Sequence, residues 1–487
     1  GCSALPSLDE RSVSTALVDT INTRLGRAIA PHVTAHPEKS GIYLLDDSRD
    51  SFAARVWLAR AAERSLDVQY YIWHEDMAGT LLFEELYRAA ERGVRVRLLL
   101  DDNNTVGLDT TLSALDAHPN IEVRLFNPFT LRNARWIGYL TDFSRLNRRM
   151  HNKSFTADNQ VTIIGGRNIG DEYFGASESM AFVDLDVSAI GPVVKDVSCD
   201  FDRYWASVSS YPVNGLLPPV DRDQLSALAT RASLIEREQT ALNYVDALRE
   251  SIFVRELVEG RVQFEWTSIR MVSDDPAKGL GLNDTKTILP HQLRRIIGVP
   301  EREVELVSPY FVPTQTGVEE WASLSRKGVK IQILTNSLEA TDVAVVHAGY
   351  AKRRKALLIA GIKLFELQRV SSNSERNKSA GSFGSSAASL HAKTFSVDRS
   401  SVFIGSFNFD PRSAKLNTEL GFVIESAILA DRIANAFNSR IPAESYEVQL
   451  SDTGNMYWIE HRDGKLLRHE TEPGTGFWKR AWIWFLS

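Results

Sequence analysis

Apolar and polar positions change period repeatedly along this chain, and the changes predict alternating strands and helices. Ser7 to about Ala35 reads as a helix carrying no chemical signal. Gly41 to Leu45 is a short apolar strand, and Ser48 or Asp50 is placed to cap a helix whose stripe is Phe52, Val56 and Ala59. Leu66 to Ile72 is β-rich, Gly79 to Arg92 is a helix with Leu82, Leu86 and Ala89 on one face, and Val94 to Leu100 is the next strand. A helix near Leu108 to Ala117 and the strand Ile121 to Phe126 follow. This order predicts an α/β fold, a mixed sheet flanked by helices.

The second half repeats the plan. Val304 to Val307 answers the Leu66 strand, Val318 to Lys327 answers its helix, and Gly328 to Leu334 answers Gly93 to Leu99. The strand at Ile121 starts 30 residues before His151, and the one at Ile362 starts 29 before His391. The offset of about 235 to 240 residues marks an internal duplication. Pro and Gly interrupt the pattern between Tyr211 and Pro219, which predicts three parts: 1–40 as tether and helix, 41–215 as the first repeat and 216–487 as the second. Within the last part, Asp223 to Val299 reads as a lead-in with a helical start. Ser371 to Ser389 is Ser/Gly/Asn-rich, either a surface loop or an active-site lid.

The sharpest repeat is chemical. His151, Lys153, Asp158, Gly165 and Asn168 return in register as His391, Lys393, Asp398, Gly405 and Asn408. Five fixed positions at residue frequencies of roughly one in twenty occur about 3×10⁻⁷ times per start, hence about 10⁻⁸ twice over in such a chain. Each copy reads as strand, turn, strand, so His and Lys two apart project to the same side.

Two imidazoles, two ammoniums and two amides suit an anionic phosphoryl centre. Lysine and asparagine can hold nonbridging oxygens, and the small residues Gly165, Gly166, Gly405 and Ser406 would let backbone approach the substrate. One histidine can attack phosphorus while the other protonates the leaving alkoxide, with no metal or cofactor required. The rings need different protonation states, and Glu419 and Asp184, each opening an apolar strand after its motif, are the candidate carboxylates to orient them. Asp158 and Asp398 belong to the motif, but each sits by a turn where a structural task is expected.

Composition narrows the class. The 487 residues, with 43% hydrophobic and 24% charged positions, describe a globular protein of two to three domains. The net charge of −6 speaks against a dedicated nucleic-acid binder. No apolar run approaches the roughly 20 residues that span a bilayer. Only Cys2 and Cys199 are present, too few for a disulfide framework. Gly1-Cys2-Ser3-Ala4 resembles a bacterial lipoprotein junction, which would tether the chain to a membrane through a lipid on Cys2.

The motif pair resembles the H-x-K-x4-D signature of the phospholipase D superfamily. Gly165-Gly166-Arg167-Asn168-Ile169-Gly170-Asp171-Glu172-Tyr173-Phe174 and Gly405-Ser406-Phe407-Asn408-Phe409-Asp410-Pro411-Arg412-Ser413 are similar to its bacterial cardiolipin synthase branch, the C-type group in particular. The resemblance runs from about Gly41 to Ser426. It implies two tandem phospholipase D-like α/β repeats around one shared active site, a phosphohistidine intermediate and no metal. It also implies His151 as nucleophile, His391 as general acid, and Lys153, Lys393, Asn168 and Asn408 on phosphate. The implied reaction moves a phosphatidyl group from phosphatidylethanolamine or phosphatidylglycerol to phosphatidylglycerol. The alternative within the superfamily is hydrolysis of phospholipid or nucleic acid, and a silent lipid-binding protein is the third reading.

The expected partners are phospholipid substrates and a membrane surface, with no nucleic acid. Synthases of that branch use N-terminal spanning helices, so contact here is expected elsewhere. The candidates are Arg132 to Met150, where arginines alternate with Trp136, Tyr139, Leu140 and Phe143, and the aromatic and basic tail Phe477 to Leu486. A lipid on Cys2 would turn the body toward the periplasm; without it, a cytoplasmic-face peripheral protein is expected.

Overall fold

The computed structural model contains two large sheets, of which eight consecutive strands in one correspond to eight in the other. It describes residues 5–176, 181–220, 223–235, 261–282, 284, 286–341, 343–369, 388–462 and 464–476, with scattered positions between 236 and 260. Cys2, nearly all of 371–389 and the tail 477–486 lie outside the described residues.

The strands of the first half are β1 (Ser40–Leu45), β2 (Ser65–Ile72), β3 (Arg95–Asn104), β4 (Ile121–Phe126), β5 (Ser154–Ala157), β6 (Val161–Gly165), β7 (Ala181–Val183), β8 (Asp186–Ile190), β9 (Ser210–Pro212) and β10 (Glu265–Thr267). Those of the second are β11 (Ile269–Ser273), β12 (Glu303–Val307), β13 (Lys330–Asn336), β14 (Lys363–Leu367), β15 (Ala388–Leu390), β16 (Thr394–Val397), β17 (Ser401–Gly405), β18 (Leu420–Ile424), β19 (Ser445–Leu450), β20 (Met456–Arg462) and β21 (Lys465–His469). The first sheet has the order β10-β1-β8-β6-β5-β2-β3-β4-β9 and the second β11-β18-β17-β16-β12-β13-β14-β19-β20-β21. From β1 and β11 onward the two orders correspond one to one, through β9 and β19. The central strands β2, β3 and β4 are parallel, as are β12, β13 and β14. The motif hairpins join them antiparallel, β5 on β2 and β16 on β12.

Apolar runs at the sheet centres explain this arrangement. Val68, Val96, Leu98 and Val123 are covered by Phe52, Leu82 and Leu86 from helices on one face of the first sheet, as parallel strands buried on both faces require. Ile164, Val187 and Ala189 of the first sheet share a second core with Ile404, Phe422 and Ile424 of the second. Burying each such side chain contributes roughly 1.5–3 kcal/mol, and this common core sets the ends of the two motif hairpins against each other. The chain crosses between the sheets at Ser268, because β10 pairs with β1 while β11 pairs with β18. The lead-in segment therefore serves both sheets.

Two local expectations change. The first helix spans Arg24–Ala35 and not the stretch from Ser7. Residues before it run over the first sheet because buried polar groups receive them: Arg97 donates to Ser14 O at 3.0 Å, Arg124 to Ser12 O at 2.7 Å, and Asp202 accepts from Ala16 N at 2.9 Å. The helix Ser48–Ala61 is capped not by Ser48 or Asp50 but by Asp47, whose carboxylate accepts from Arg49 N and Asp50 N. No helix among the described residues is long and apolar enough to cross a membrane.

Candidate active site

Backbone pairing across the repeats builds the site. Met150 forms a parallel bridge with Thr418, and His151 N donates to Thr418 O at 2.9 Å. In the corresponding place Leu390 pairs with Val183, and His391 N donates to Val183 O at 2.8 Å. Thr418 precedes Glu419 and Val183 precedes Asp184, so each exchange carries a carboxylate beneath the facing ring. Glu419 Oε2 lies 2.8 Å from His151 Nδ1, and Asp184 Oδ2 lies 2.5 Å from His391 Nδ1. Each histidine thus meets a carboxylate from the opposite repeat.

His151 and Lys153 occupy an extended stretch just ahead of β5, and His391 and Lys393 the same stretch ahead of β16, instead of lying on the strands. Lys153 Nζ folds back to donate to His151 O at 2.6 Å, and Lys393 Nζ does the same to His391 O while standing 3.1 Å from His391 Nδ1. All four side chains are buried. Burial pushes the His151 imidazole down to about 4, against the pull of Glu419 and with Lys153 adding to the fall. His391 is lowered as well, by burial and by Lys393. Burial and the facing Lys393 bring Lys153 down to about 7. Burial opposes charge on Asp184 and Glu419 too, yet their histidine partners and the lysines hold both below the usual carboxylate range.

Both rings open on one cleft of about 750 Å³, whose lining also includes Asn168, Asn408, Tyr71 and Tyr173. Tyr71 meets His151 edge-on at 4.8 Å between centroids, and Tyr173 meets His391 likewise at 5.2 Å. Asn168 is fixed by Ile72 N, which donates to its Oδ1, and by Tyr173 OH, which accepts from its Nδ2. The far wall is apolar, with Val312, Val343, Val345, Val346 and Leu416.

Six candidates are engaged by the strands, carboxylates and backbone around the site. A Cβ on Gly166 would meet Asp184 Oδ1 at 2.0 Å, one on Gly165 would meet Asp186 Oδ1 at 2.1 Å, and one on Gly405 would meet Leu420 O at 2.4 Å. These glycines admit the neighbouring strands and carboxylates at close range. Ser406 supports Glu419, its Oγ donating to Oε2 at 2.5 Å. Asp158 and Asp398 sit at the opposite ends of their strands in turns with both central residues at positive φ: Asp158 and Asn159 at 52° and 51°, Asp398 and Arg399 at 53° and 55°. The Asp158 carboxylate accepts from the backbone of Glu63, Arg64 and Ser65, and that of Asp398 from Glu301, Arg302 and Glu303. They clamp the hairpin tips to the preceding loops and take no part in the cleft.

The family description "Cardiolipin synthase, PLD-like domain" matches residues 58–205 and 293–441, one match around each histidine. The chain belongs to the PLD-like cardiolipin synthase family. It is 52% identical over 460 residues to cardiolipin synthase C of Escherichia coli, covering 94% of this chain and 97% of that protein. An uncharacterized protein of Helicobacter pylori is 32% identical over 489 residues, covering 99% of this chain and 94% of its own. The solved phosphatidylserine synthase of Haemophilus influenzae shares the fold, with a TM-score of 0.55 at 14% identity over 92% of this chain and 93% of that one.

Around this family's motif pair the structure adds residues that sequence reasoning missed. Asp101 Oδ2 accepts from Met150 N at 2.8 Å, and Asp274 Oδ2 from Glu419 N at 3.0 Å, so buried carboxylates fix the backbone of the His151 and Glu419 segments. Lys278 joins Asp274 at 2.8 Å and reaches Ser413 O at 2.9 Å on the cleft wall. An acidic residue ending an apolar strand, as Asp101 does, was the available signal. Among the described residues one group has metal-ligand spacing, His74, Asp76 and Glu172. Asp76 there already caps a helix through Gly79 N, and Glu172 pairs with His74 at 3.1 Å.

Proposed function

We propose that this enzyme transfers a phosphatidyl group, drawn from phosphatidylethanolamine or a second phosphatidylglycerol, to a hydroxyl of phosphatidylglycerol, giving cardiolipin. The observation that carries the proposal is the pair of imidazoles on one cleft, each with Nδ1 against a carboxylate of the opposite repeat. A carboxylate on Nδ1 takes that ring's N–H and leaves the Nε2 lone pair for chemistry. His151 Nε2 attacks the donor phosphorus, the P–O bond to the headgroup alkoxide breaks, and His391 gives that oxygen its proton. The hydroxyl of phosphatidylglycerol then attacks the same phosphorus, its proton passes to His391, and the N–P bond breaks to restore His151. The choice of His151 as attacker follows the superfamily's use of the first motif.

Lys153, Lys393, Asn168 and Asn408 hold the nonbridging oxygens, where charge grows in the transition state. Burial keeps His151 unprotonated in the free protein, as a nucleophile requires. An anionic phosphodiester beside His391, together with Asp184, favours the imidazolium that the acid role needs.

Membrane contact is the second part of the proposal. In the stretch ahead of His151 the arginines turn inward: Arg132 pairs with Asp102 at 2.6 Å, Arg145 with Asp142 at 2.6 Å and Arg149 with Asp101 at 3.1 Å. Trp136, Leu140 and Phe143 face out, 66%, 76% and 59% exposed. Such an aromatic and aliphatic cluster suits the bilayer interface. A lipid on Cys2 is the anchor this reading adds, and an unmodified Cys2 in the intact mass of membrane-extracted protein would remove it.

Purified protein in mixed micelles of phosphatidylglycerol, with and without phosphatidylethanolamine, provides the test. Mass spectrometry should find cardiolipin, with ethanolamine released when that donor is present. Phosphatidic acid without cardiolipin would place the chain among the hydrolases of its superfamily.

A further inference from the structure

One wall of the cleft carries a cation and an amide that the transfer scheme above leaves unused. The short helix Pro411–Lys415 and the residues after it bring Arg412 and Asn417 to the cleft that both histidines line. Arg412 donates to Asn147 Oδ1 at 2.6 Å and to Asn147 O at 3.0 Å. Those neutral acceptors orient the guanidinium without cancelling its charge. Burial pushes the Tyr71 hydroxyl up, and Arg412 is among the cations opposing that rise, which places its field beside the ring that packs on His151. Asn417 is 6% exposed, and its Oδ1 has no hydrogen-bond partner among the described residues. A buried amide oxygen left without a donor is costly, and a ligand hydroxyl would satisfy it.

An acceptor such as phosphatidylglycerol brings an anion of its own. Its phosphodiester is separated by a glycerol unit from the oxygen that attacks, so it cannot share the lysines that hold the first phosphorus. Against the apolar wall of Val312, Val343, Val345 and Val346, an unpaired phosphate would be strongly disfavoured. A guanidinium is the group whose planar fork matches a phosphodiester. We infer that Arg412 and Asn417 form a second subsite, in which Arg412 holds the phosphodiester of the incoming acceptor lipid and Asn417 Oδ1 accepts a hydrogen bond from its glycerol. This rests on the phosphatidyl-transfer reading above. Water carries no such anion, so the subsite favours transfer over hydrolysis.

The test is the product ratio in micelles of phosphatidylethanolamine and phosphatidylglycerol, comparing wild type with Arg412→Gln, Arg412→Lys and Asn147→Ala. Losing a charged hydrogen bond should lower the ratio of cardiolipin to phosphatidic acid about tenfold or more in Arg412→Gln, with a raised KM for phosphatidylglycerol. Arg412→Lys should recover part of the ratio, and Asn147→Ala, which frees the guanidinium but keeps its charge, should lower the ratio less than Arg412→Gln does. A parallel fall of both products in Arg412→Gln, or an Asn147→Ala protein that reproduces it, would make Arg412 a structural latch and overturn the subsite alone. Wild-type protein that makes phosphatidic acid only would overturn phosphatidyl transfer, and the subsite with it.

Discussion

Glu419 and His151 are 268 residues apart in the chain and 2.8 Å apart in space. Asp184 and His391, 207 residues apart, make the reciprocal contact. Neither repeat contains a complete histidine–carboxylate pair: each supplies a ring and the carboxylate for the other's ring. The duplication is therefore joined at its chemistry as well as at the core shared by the two sheets.

Breaking one of these contacts should cost turnover more than binding. Glu419→Gln and Asp184→Asn keep the side-chain size but lose the charge that fixes the tautomer and supports an imidazolium. Steady-state cardiolipin formation should show kcat down roughly 10²-fold or more with KM little changed. Gly166→Ala, whose added Cβ would stand 2.0 Å from Asp184 Oδ1, should resemble Asp184→Asn. Full activity in either carboxamide variant would contradict the orienting role.

The pH dependence follows from three lowered pKa values, those of His151, Lys153 and His391. His151 must be unprotonated to attack, and in the free protein it gains a proton only near about 4. Lys153 must be protonated to hold phosphate, and it loses its proton as pH rises through about 7. The profile of kcat/KM, which reports the free enzyme, should fall on both sides of that window. Lys153→Arg, permanently charged, should leave an alkaline limb set by His391 alone, which must also carry its proton, while lowering the plateau, because the guanidinium fills the space differently. A wild-type profile that stays flat well above neutrality would assign the lysine another task.

Asp158 and Asp398 should behave as structural residues. Asp158→Ala leaves three backbone N–H groups without their acceptor, an expected loss of about 3 kcal/mol. The carboxylate of Asp398 is half-buried, and solvent can replace it, so Asp398→Ala should cost about 1 kcal/mol. Denaturant unfolding measures both, and the remaining folded protein should keep a near wild-type kcat.

Replacing Trp136, Leu140 and Phe143 together by Ser should weaken binding to anionic vesicles about tenfold or more. Activity in detergent micelles, where the substrate reaches the cleft without docking, should change far less. Equal losses in vesicles and micelles would mean that these side chains support the fold.

The motif pair, the α/β alternation and nearly every central strand were legible in the sequence, because register and apolar period are local properties. Glu419 and Asp184 were legible as carboxylates opening apolar strands. Which ring each serves was not, since the crossing depends on Thr418 pairing with His151 and Val183 with His391 through long-range backbone bonds. The glycines were ambiguous for a related reason: a small residue signals close approach, but the sequence does not say whether ligand or strand approaches. From Ser7 to Thr23 the helical period lost to the partners offered by Arg97, Arg124 and Asp202. Those partners come from sheet residues and a helix distant in sequence.

The central claim is that the phosphatidyl group passes through His151, held ready by Glu419 from the other repeat. The most direct measurement is peptide mass spectrometry of His391→Ala protein after brief exposure to phosphatidylethanolamine, under alkaline conditions that preserve phosphohistidine. His391 serves both steps, so its loss slows formation and breakdown alike; with no phosphatidylglycerol present to accept the group, the adduct that forms should persist on the peptide that contains His151. An adduct on the His391 peptide of His151→Ala protein, with none on His151 in His391→Ala protein, would reverse the roles. Continued cardiolipin formation by both variants would contradict the account altogether.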